Sequence, residues 1–176
     1  MMAFTRERID MKAREVGEKL SYHIYRPGSF TMSNVYIKNS PWESDVIKVM
    51  KSGYWHEYEI KLTKADFKRD FQKRVCKWKK DSVKKHDLYA SPDELCRKTI
   101  TGRQYEKGLF PKPATFTFVC PKGMIAVEEI PDHSGLIEFE ETEKYGVVFN
   151  TVKRSRRLKK PGKLTYQQLF NLCLKK

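Results

Sequence analysis

Charged and apolar residues alternate through residues 57–62, and this alternation restricts the fold more than any other feature. The segment reads Glu-Tyr-Glu-Ile-Lys-Leu. Side chains on a β-strand alternate between its two faces, so Glu59 and Lys61 are predicted to share one face. Tyr58, Ile60 and Leu62 are predicted to point the other way, into a core. Charged groups beside a core are costly unless something compensates them. The segment therefore predicts a strand that places a carboxylate and an ammonium at a site.

A second predicted strand supplies another carboxylate. Asp45 lies in a stretch that predicts a strand over about residues 44–51. The turn signal Ser52-Gly53 separates it from the strand predicted over about residues 54–62. On neighbouring strands, Asp45 and Glu59 are expected to lie close enough to hold one cation.

This set of residues favours phosphodiester hydrolysis assisted by a divalent metal. Mg²⁺ prefers oxygen ligands and uses one or two carboxylates with waters, which fits Asp45 and Glu59. The backbone carbonyl of Ile60 is a further candidate ligand. Lys61 is expected to orient or deprotonate a water, or to neutralise charge at phosphorus. Mg²⁺ or Mn²⁺ is the predicted cofactor.

The overall charge predicts the substrate class. The chain of 176 residues has 36 Lys and Arg against 22 Asp and Glu, a net charge of +14. Such an excess is typical of proteins that bind polyanions, and DNA is the predicted partner. The sequence contains no run of 18 apolar residues, so no membrane span is predicted. The scattered cysteines and the lack of an apolar signal region predict a cytoplasmic protein with reduced thiols.

The remaining periodicities predict an α/β fold, a mixed β-sheet flanked by helices in a single domain. Helices are expected over residues 5–22, with Thr5 as N-cap, over 64–80 after Thr63, and over 165–174. The last helix is expected to pack Leu169, Phe170, Leu172 and Cys173. Further strands are predicted over residues 114–120, 135–140 and 146–152. The basic stretch 81–113 is expected to be a long loop, with a short helix near residues 92–98.

Three basic regions are the candidate contacts to nucleic acid. They comprise residues of the second helix, of the long loop and of the run 153–160: Lys64, Lys68, Arg69, Lys73, Lys84, Lys85, His86, Arg103, Arg154, Arg156 and Arg157. Such side chains bind phosphates without reading sequence. The acidic stretch 128–143 is expected to lie away from the DNA.

The order of these residues resembles the PD-(D/E)XK superfamily, the restriction-endonuclease-like nucleases. Asp45 is followed, after thirteen residues, by Glu59-Ile60-Lys61, while Ser44 stands where the family name has proline. Similar flanking segments are residues 42–46, 58–71, 85–86, 119–121 and 130–137, so the resemblance covers roughly residues 30–160.

The resemblance implies a restriction-endonuclease-like fold and a role for each residue of the motif. Asp45 and Glu59 would be metal ligands and Lys61 the catalytic lysine. Many members add a glutamate from the first helix, here Glu18 or Glu15. The resemblance is also compatible with a homodimer, since many such nucleases use two copies to cut two strands.

Simpler interpretations remain open. A Glu-x-Lys pair on a strand is often a solvated surface pair. Glu57 is expected at the surface, Asp66 as a helix cap, and Asp70 in a pair with Lys73 or Arg74. His56 and His86 are expected to be structural. The alternative function is a non-catalytic DNA-binding or partner-binding protein on the same scaffold.

Overall fold

The computed structural model describes residues 12–37, 43–71, 112–158 and 161–174. These residues form three helices, six strands and one short 3-10 turn. In chain order they are α1 (Ala13–Ile24), β1 (Ser29–Tyr36), β2 (Glu43–Met50), β3 (Trp55–Ile60), α2 (Lys64–Asp70), β4 (Thr115–Pro121), the 3-10 turn (Val127–Glu129), β5 (Gly135–Thr142), β6 (Gly146–Lys153) and α3 (Tyr166–Cys173).

The six strands form one mixed sheet in the order β1-β2-β3-β4-β5-β6. The β1-β2 and β2-β3 pairs are antiparallel, β3, β4 and β5 are parallel to one another, and β6 is antiparallel to β5. The mixed α/β architecture predicted from the sequence is thus confirmed, and five of the six strands lie where periodicity placed them. Strand β1 was not predicted, because its residues Ser-Phe-Thr-Met-Ser-Asn-Val-Tyr show no clean alternation. At the sheet edge only Val35 among them is fully buried.

Helix α1 packs on one face of the sheet. Its buried stripe of Val16, Leu20 and Ile24 joins a cluster with Val46 and Ile60. Gly17 lets the helix approach closely, because a Cβ at this position would already stand 3.4 Å from side-chain atoms of Ile60 and Val46. This face is called the α1 face below.

Helices α2 and α3 pack on the other face. Phe67 of α2 packs with Phe116 and Phe118 of β4. Leu172 of α3 packs with Val49 of β2 and Trp55 of β3. Between these two clusters lies the acidic end of β3 described in the next subsection. This face is called the α2 face.

Two helix predictions need correction. Helix α1 begins after Lys12, whose backbone is extended, and not after Thr5, which lies outside the described residues. In α3, which begins after the N-cap Thr165 as predicted, Phe170 and Cys173 are exposed and do not enter the core. Only the stripe of Leu169 and Leu172, three residues apart, faces the sheet.

Several sequence predictions fall outside the described residues. They are the continuation of the second helix over residues 72–80, the loop 81–111 and the short helix near 92–98. Among the described helices, none is both long and apolar enough to cross a membrane.

The thiols provide a test of this core. Cys120 is fully buried in β4, and burial together with the nearby Glu138 raises its pKa to about 12, whereas Cys173 is exposed. Since the thiolate is the reactive form, we expect iodoacetamide at pH 8 to alkylate Cys173 at least about 100-fold faster than Cys120 in the native protein. Peptide mapping by mass spectrometry measures each rate separately. Equal alkylation rates in the folded protein would show that β4 is not a buried strand. Rates that become equal only in urea would not.

Candidate functional site

The candidate site lies where β3 ends and the chain turns into α2. The β2-β3 register pairs Ile47 with Glu57 and Val46 with Tyr58. Continuing this register places Asp45 opposite Glu59, on the α2 face. The predicted sharing of one face by Glu59 and Lys61 is confirmed, and the alternate residues Tyr58, Ile60 and Leu62 pack on the α1 face.

Lys61 is at the centre of the site. Its side chain is 2% exposed, and its Nζ donates to Glu59 Oε1 at 2.9 Å and to Asp70 Oδ1 at 3.0 Å. Asp66 Oδ2 lies 3.9 Å from the same nitrogen. The backbone N–H of Lys61 donates to the carbonyl of Val119 at 2.8 Å, which fixes its position beside β4. The interpretation of Glu59 and Lys61 as a solvated surface pair is therefore wrong.

Asp45 reaches the same strand end from β2. Its Oδ2 accepts a hydrogen bond from the backbone N–H of Ile60 at 2.7 Å. In a strand, the N–H and C=O of one residue point to the same neighbour, so the carbonyl of Ile60 also points toward β2. The structure thus brings together the three side chains and the backbone carbonyl that the sequence suggested.

The burial of two carboxylates at the site was not predicted from the sequence. Glu57 was expected at the surface, but it is fully buried. Asp70 is 0% exposed and binds Lys61; its expected pairing with Lys73 or Arg74 stays a prediction, because those two residues lie outside the described residues. Asp66 does not supply the cap of α2 through its side chain, because the Thr63 hydroxyl accepts from the Asp66 N–H at 3.1 Å.

The sequence did contain a signal for Asp70. Thr63 caps α2 immediately after β3, so the helix starts next to Lys61. Residues four apart on a helix share a face, which places Asp66 and Asp70 on one side of α2. Given the observed start of the helix, that side faces back toward the strand end.

The donor chemistry of the site fits a hard divalent cation. Asp45 and Glu59 are carboxylates on adjacent strands, and Mg²⁺ commonly uses one or two protein carboxylates with waters. Within residues 12–37, 43–71, 112–158 and 161–174, no group of three or more His, Cys, Asp or Glu side chains is arranged to hold a metal. A metal at this position would therefore rely on Asp45, Glu59, the Ile60 carbonyl and water.

The first-helix glutamates do not reach the site. Helix α1 lies on the opposite face of the sheet, and the Glu18 side chain is 56% exposed and bound to Arg14 at 3.2 Å. Glu15 is exposed and accepts from the Lys12 N–H at 3.0 Å. The structure therefore gives no support to either residue as a metal ligand.

The basic residues of α2 that were predicted to contact phosphate differ in their exposure and partners. Lys68 and Arg69 are exposed next to the site. Lys64 instead donates to the Met124 carbonyl at 3.2 Å and also binds Glu129. The hydrogen bond from Lys64 to Glu129 is the main cause that lowers the pKa of Glu129. Glu129, which belongs to the acidic stretch 128–143, thus lies beside α2. The expectation that this stretch lies away from the DNA stays a prediction.

The other predicted contacts are elsewhere. Arg154, Arg156 and Arg157 are exposed in the segment after β6, which runs past the amino-terminal ends of β5, β4 and β3. Glu59 lies at the opposite end of β3. Lys73, Lys84, Lys85, His86 and Arg103 lie outside the described residues.

His56 is not part of the site. It lies on the α1 face, where its Nδ1 is 2.7 Å from the Thr115 hydroxyl. The expectation that His56 is structural stays a prediction.

Comparisons with known proteins leave the family of the chain open. No protein-family model matches the sequence, and no curated protein matches it. The fold is similar to that of SPO1766, a protein of unknown function from Silicibacter pomeroyi, with a TM-score of 0.45 and 16% identity over 95% of this chain and 85% of that one.

The buried ion pairs predict a large effect of removing the ammonium. Lys61→Met keeps the volume of the side chain but leaves Glu59 and Asp70 buried without it. We expect the variant to lose about 3–5 kcal/mol of unfolding free energy, measured by urea denaturation. Lys68→Met, an exposed change on α2, should stay within about 0.5 kcal/mol of the parent.

A compensating variant checks the cause. Adding Glu59→Gln and Asp70→Asn to Lys61→Met removes the uncompensated charge and should restore a substantial part of the loss. A Lys61→Met protein as stable as the parent would show that these contacts do not hold β3 to α2.

Proposed function

We propose that the protein is a Mg²⁺- or Mn²⁺-dependent nuclease that hydrolyses phosphodiester bonds of DNA, with a restriction-endonuclease-like fold. The observation that supports this most is the buried ammonium of Lys61, held by Glu59 and Asp70 beside Asp45 at the end of β3. Hard oxygen donors and one cationic donor at the same strand end are the groups that such hydrolysis needs.

Each residue has a role that follows from its position. Asp45 and Glu59, with the Ile60 carbonyl, would hold the metal, which supplies Lewis-acid stabilisation and an activated water when bound. Lys61 would place its positive charge against the phosphate and orient the attacking water. In hydrolysis the water oxygen bonds to phosphorus and the phosphorus–oxygen bond to the leaving strand breaks. Asp70 is a positioning residue, because it fixes the Lys61 side chain from α2.

Burial strengthens this arrangement. Glu59 and Lys61 are each 2% exposed, so water screens their charges little. Groups that are already fixed need no reorganisation when charge develops at phosphorus. This environment favours a site that acts on a bound substrate over a surface ion pair.

DNA is proposed as the substrate because of charge. The chain carries a net charge of +14, and Lys68 and Arg69 are exposed on the helix that follows the site. Such side chains neutralise backbone phosphates without selecting a sequence. A homodimer and a cytoplasmic location remain predictions from the sequence.

Two observations favour a second candidate, a non-catalytic DNA-binding or partner-binding protein. Lys61 already has two carboxylate partners, and the described residues contain no ready group of three metal donors. In that case the ion pairs only join β3 to α2.

Cleavage assays separate the two candidates. Purified protein should cut at least one of linear, supercoiled, single-stranded and branched DNA in Mg²⁺ or Mn²⁺ and none in EDTA. We expect Glu59→Gln and Asp45→Asn to lower the rate at least about 100-fold, because each removes a charge that the metal needs. Glu141→Gln, an exposed change on β5, is the matched control and should cut normally.

Metal binding gives an independent readout. Titration calorimetry with Mn²⁺ should show binding to the parent that Glu59→Gln weakens and Glu141→Gln does not. Absence of cleavage on every DNA form, together with DNA affinity that is indifferent to Mg²⁺ at fixed ionic strength, would instead support the non-catalytic candidate.

A further inference from the structure

A row of polar side chains crosses the α1 face of the sheet, away from the carboxylates. The strand registers pair Thr31 with Lys48, Lys48 with His56, and His56 with Thr115. Directly paired residues share a face, and adjacent strands lie about 4.8 Å apart, so the row spans about 14 Å. All four residues are half-buried, which leaves part of each side chain accessible.

The chain after β6 adds two cations next to this row. The Leu164 N–H donates to the Gly53 carbonyl at 3.0 Å, which holds the segment against the start of β3. The Arg157 guanidinium and the Lys163 ammonium lie 4.8 Å and 5.0 Å from the centre of the Tyr54 ring. Both side chains are exposed.

These cations crowd one another. The pKa of Lys48 is lowered by burial and by the nearby Arg26. The pKa of His56 is lowered by burial, by Lys48 and by Arg157. Among the described residues, no carboxylate forms an ion pair with Lys48, Arg157 or Lys163. Five basic side chains thus share a surface that lacks a paired acid in the described structure: Arg26, Lys48, His56, Arg157 and Lys163. We name it the cationic patch.

We infer that the cationic patch binds the phosphate backbone of a nucleic-acid strand, at a surface separate from the carboxylate site. Lysine, arginine and threonine side chains are the donors that proteins commonly direct at phosphate oxygens, and the row has two basic groups between two hydroxyls. Repulsion among its cations would be relieved by a line of negative charges. The inference does not depend on the proposed nuclease activity, because the patch and the carboxylates lie on opposite faces of the sheet.

A nucleic acid fits the patch better than a lipid surface does. Stable membrane attachment adds buried apolar area to electrostatic attraction. The aromatic ring within the patch, Tyr54, is only partly exposed and has two cations over it. The patch therefore offers charge and hydroxyl groups rather than an apolar anchor.

Fluorescence anisotropy with a labelled 20-base-pair DNA in EDTA tests the inference without any cleavage. The test variant carries Lys48→Gln and Lys163→Gln. Loss of one phosphate contact lowers the slope of log affinity against log salt by about 0.9, which is about eightfold in affinity at 0.1 M salt. The double variant should therefore bind about 60-fold more weakly, with a slope reduced by about 1.8.

The matched control carries Lys19→Gln and Lys144→Gln, two exposed lysines outside the patch. This control has the same net charge as the test variant and should bind DNA within about threefold of the parent's affinity. Equal losses in both variants would mean that overall charge, not the patch, attracts DNA, and would overturn the inference. So would unchanged affinity in the test variant.

Two competitors distinguish the partner. Poly-glutamate at equal charge should displace the DNA poorly, and vesicles with 30% phosphatidylserine should bind the parent and the test variant alike. Displacement by poly-glutamate as effective as by unlabelled DNA would point to an acidic protein. Vesicle binding that is stronger than DNA binding and is lost in the test variant would point to a membrane; either result would overturn the inference. Circular dichroism melts confirm that each variant is folded.

Discussion

The ammonium of Lys61, buried between the carboxylates of Glu59 and Asp70, joins the central strand of the sheet to the helix that follows it. A buried charge is tolerated only with well-placed partners, so the ion pairs require β3 and α2 to keep one relative position. The Thr63 cap starts the helix at the right residue, and the Lys61 backbone bond to Val119 ties the strand end to β4. The same contacts that fix this junction also fix the groups that would act on a phosphate.

The sheet separates charge between its two faces. Acidic residues and one lysine collect at the end of β3 on the α2 face, while basic residues collect near the start of β3 on the α1 face. This separation follows from strand alternation, since residues 57, 59 and 61 project to one side and residues 54, 56 and 58 to the other. A polyanion attracted to the basic face would not be repelled directly by the acidic one.

Much of the architecture followed from periodicity in the sequence. Alternation in residues 57–62 and the turn at Ser52-Gly53 located β2 and β3 to within two residues. The capping residues Thr63 and Thr165 located the starts of α2 and α3. Strand β1 was missed because an edge strand buries neither face completely, so it leaves no strong pattern.

The site was only partly visible in the sequence. Local spacing placed Glu59 and Lys61 on one face of a strand, and that prediction is confirmed. It could not place Asp70 or exclude Glu18, because those positions depend on where a helix starts and on which face of the sheet it packs. Glu57 was assigned to the surface because a charged residue is usually exposed, whereas the packing of its neighbours buries it.

The sequence by itself determined which residues share a face of each strand and how strongly basic the chain is. Only the tertiary structure decided which faces meet. It brings Asp70 to Lys61, keeps the glutamates of α1 away from the carboxylate site, and joins the residues of the cationic patch into one surface. The physical reason is that periodicity is a property of a single element, whereas the distance between side chains on different elements is set by strand register and by the packing of helices on the sheet.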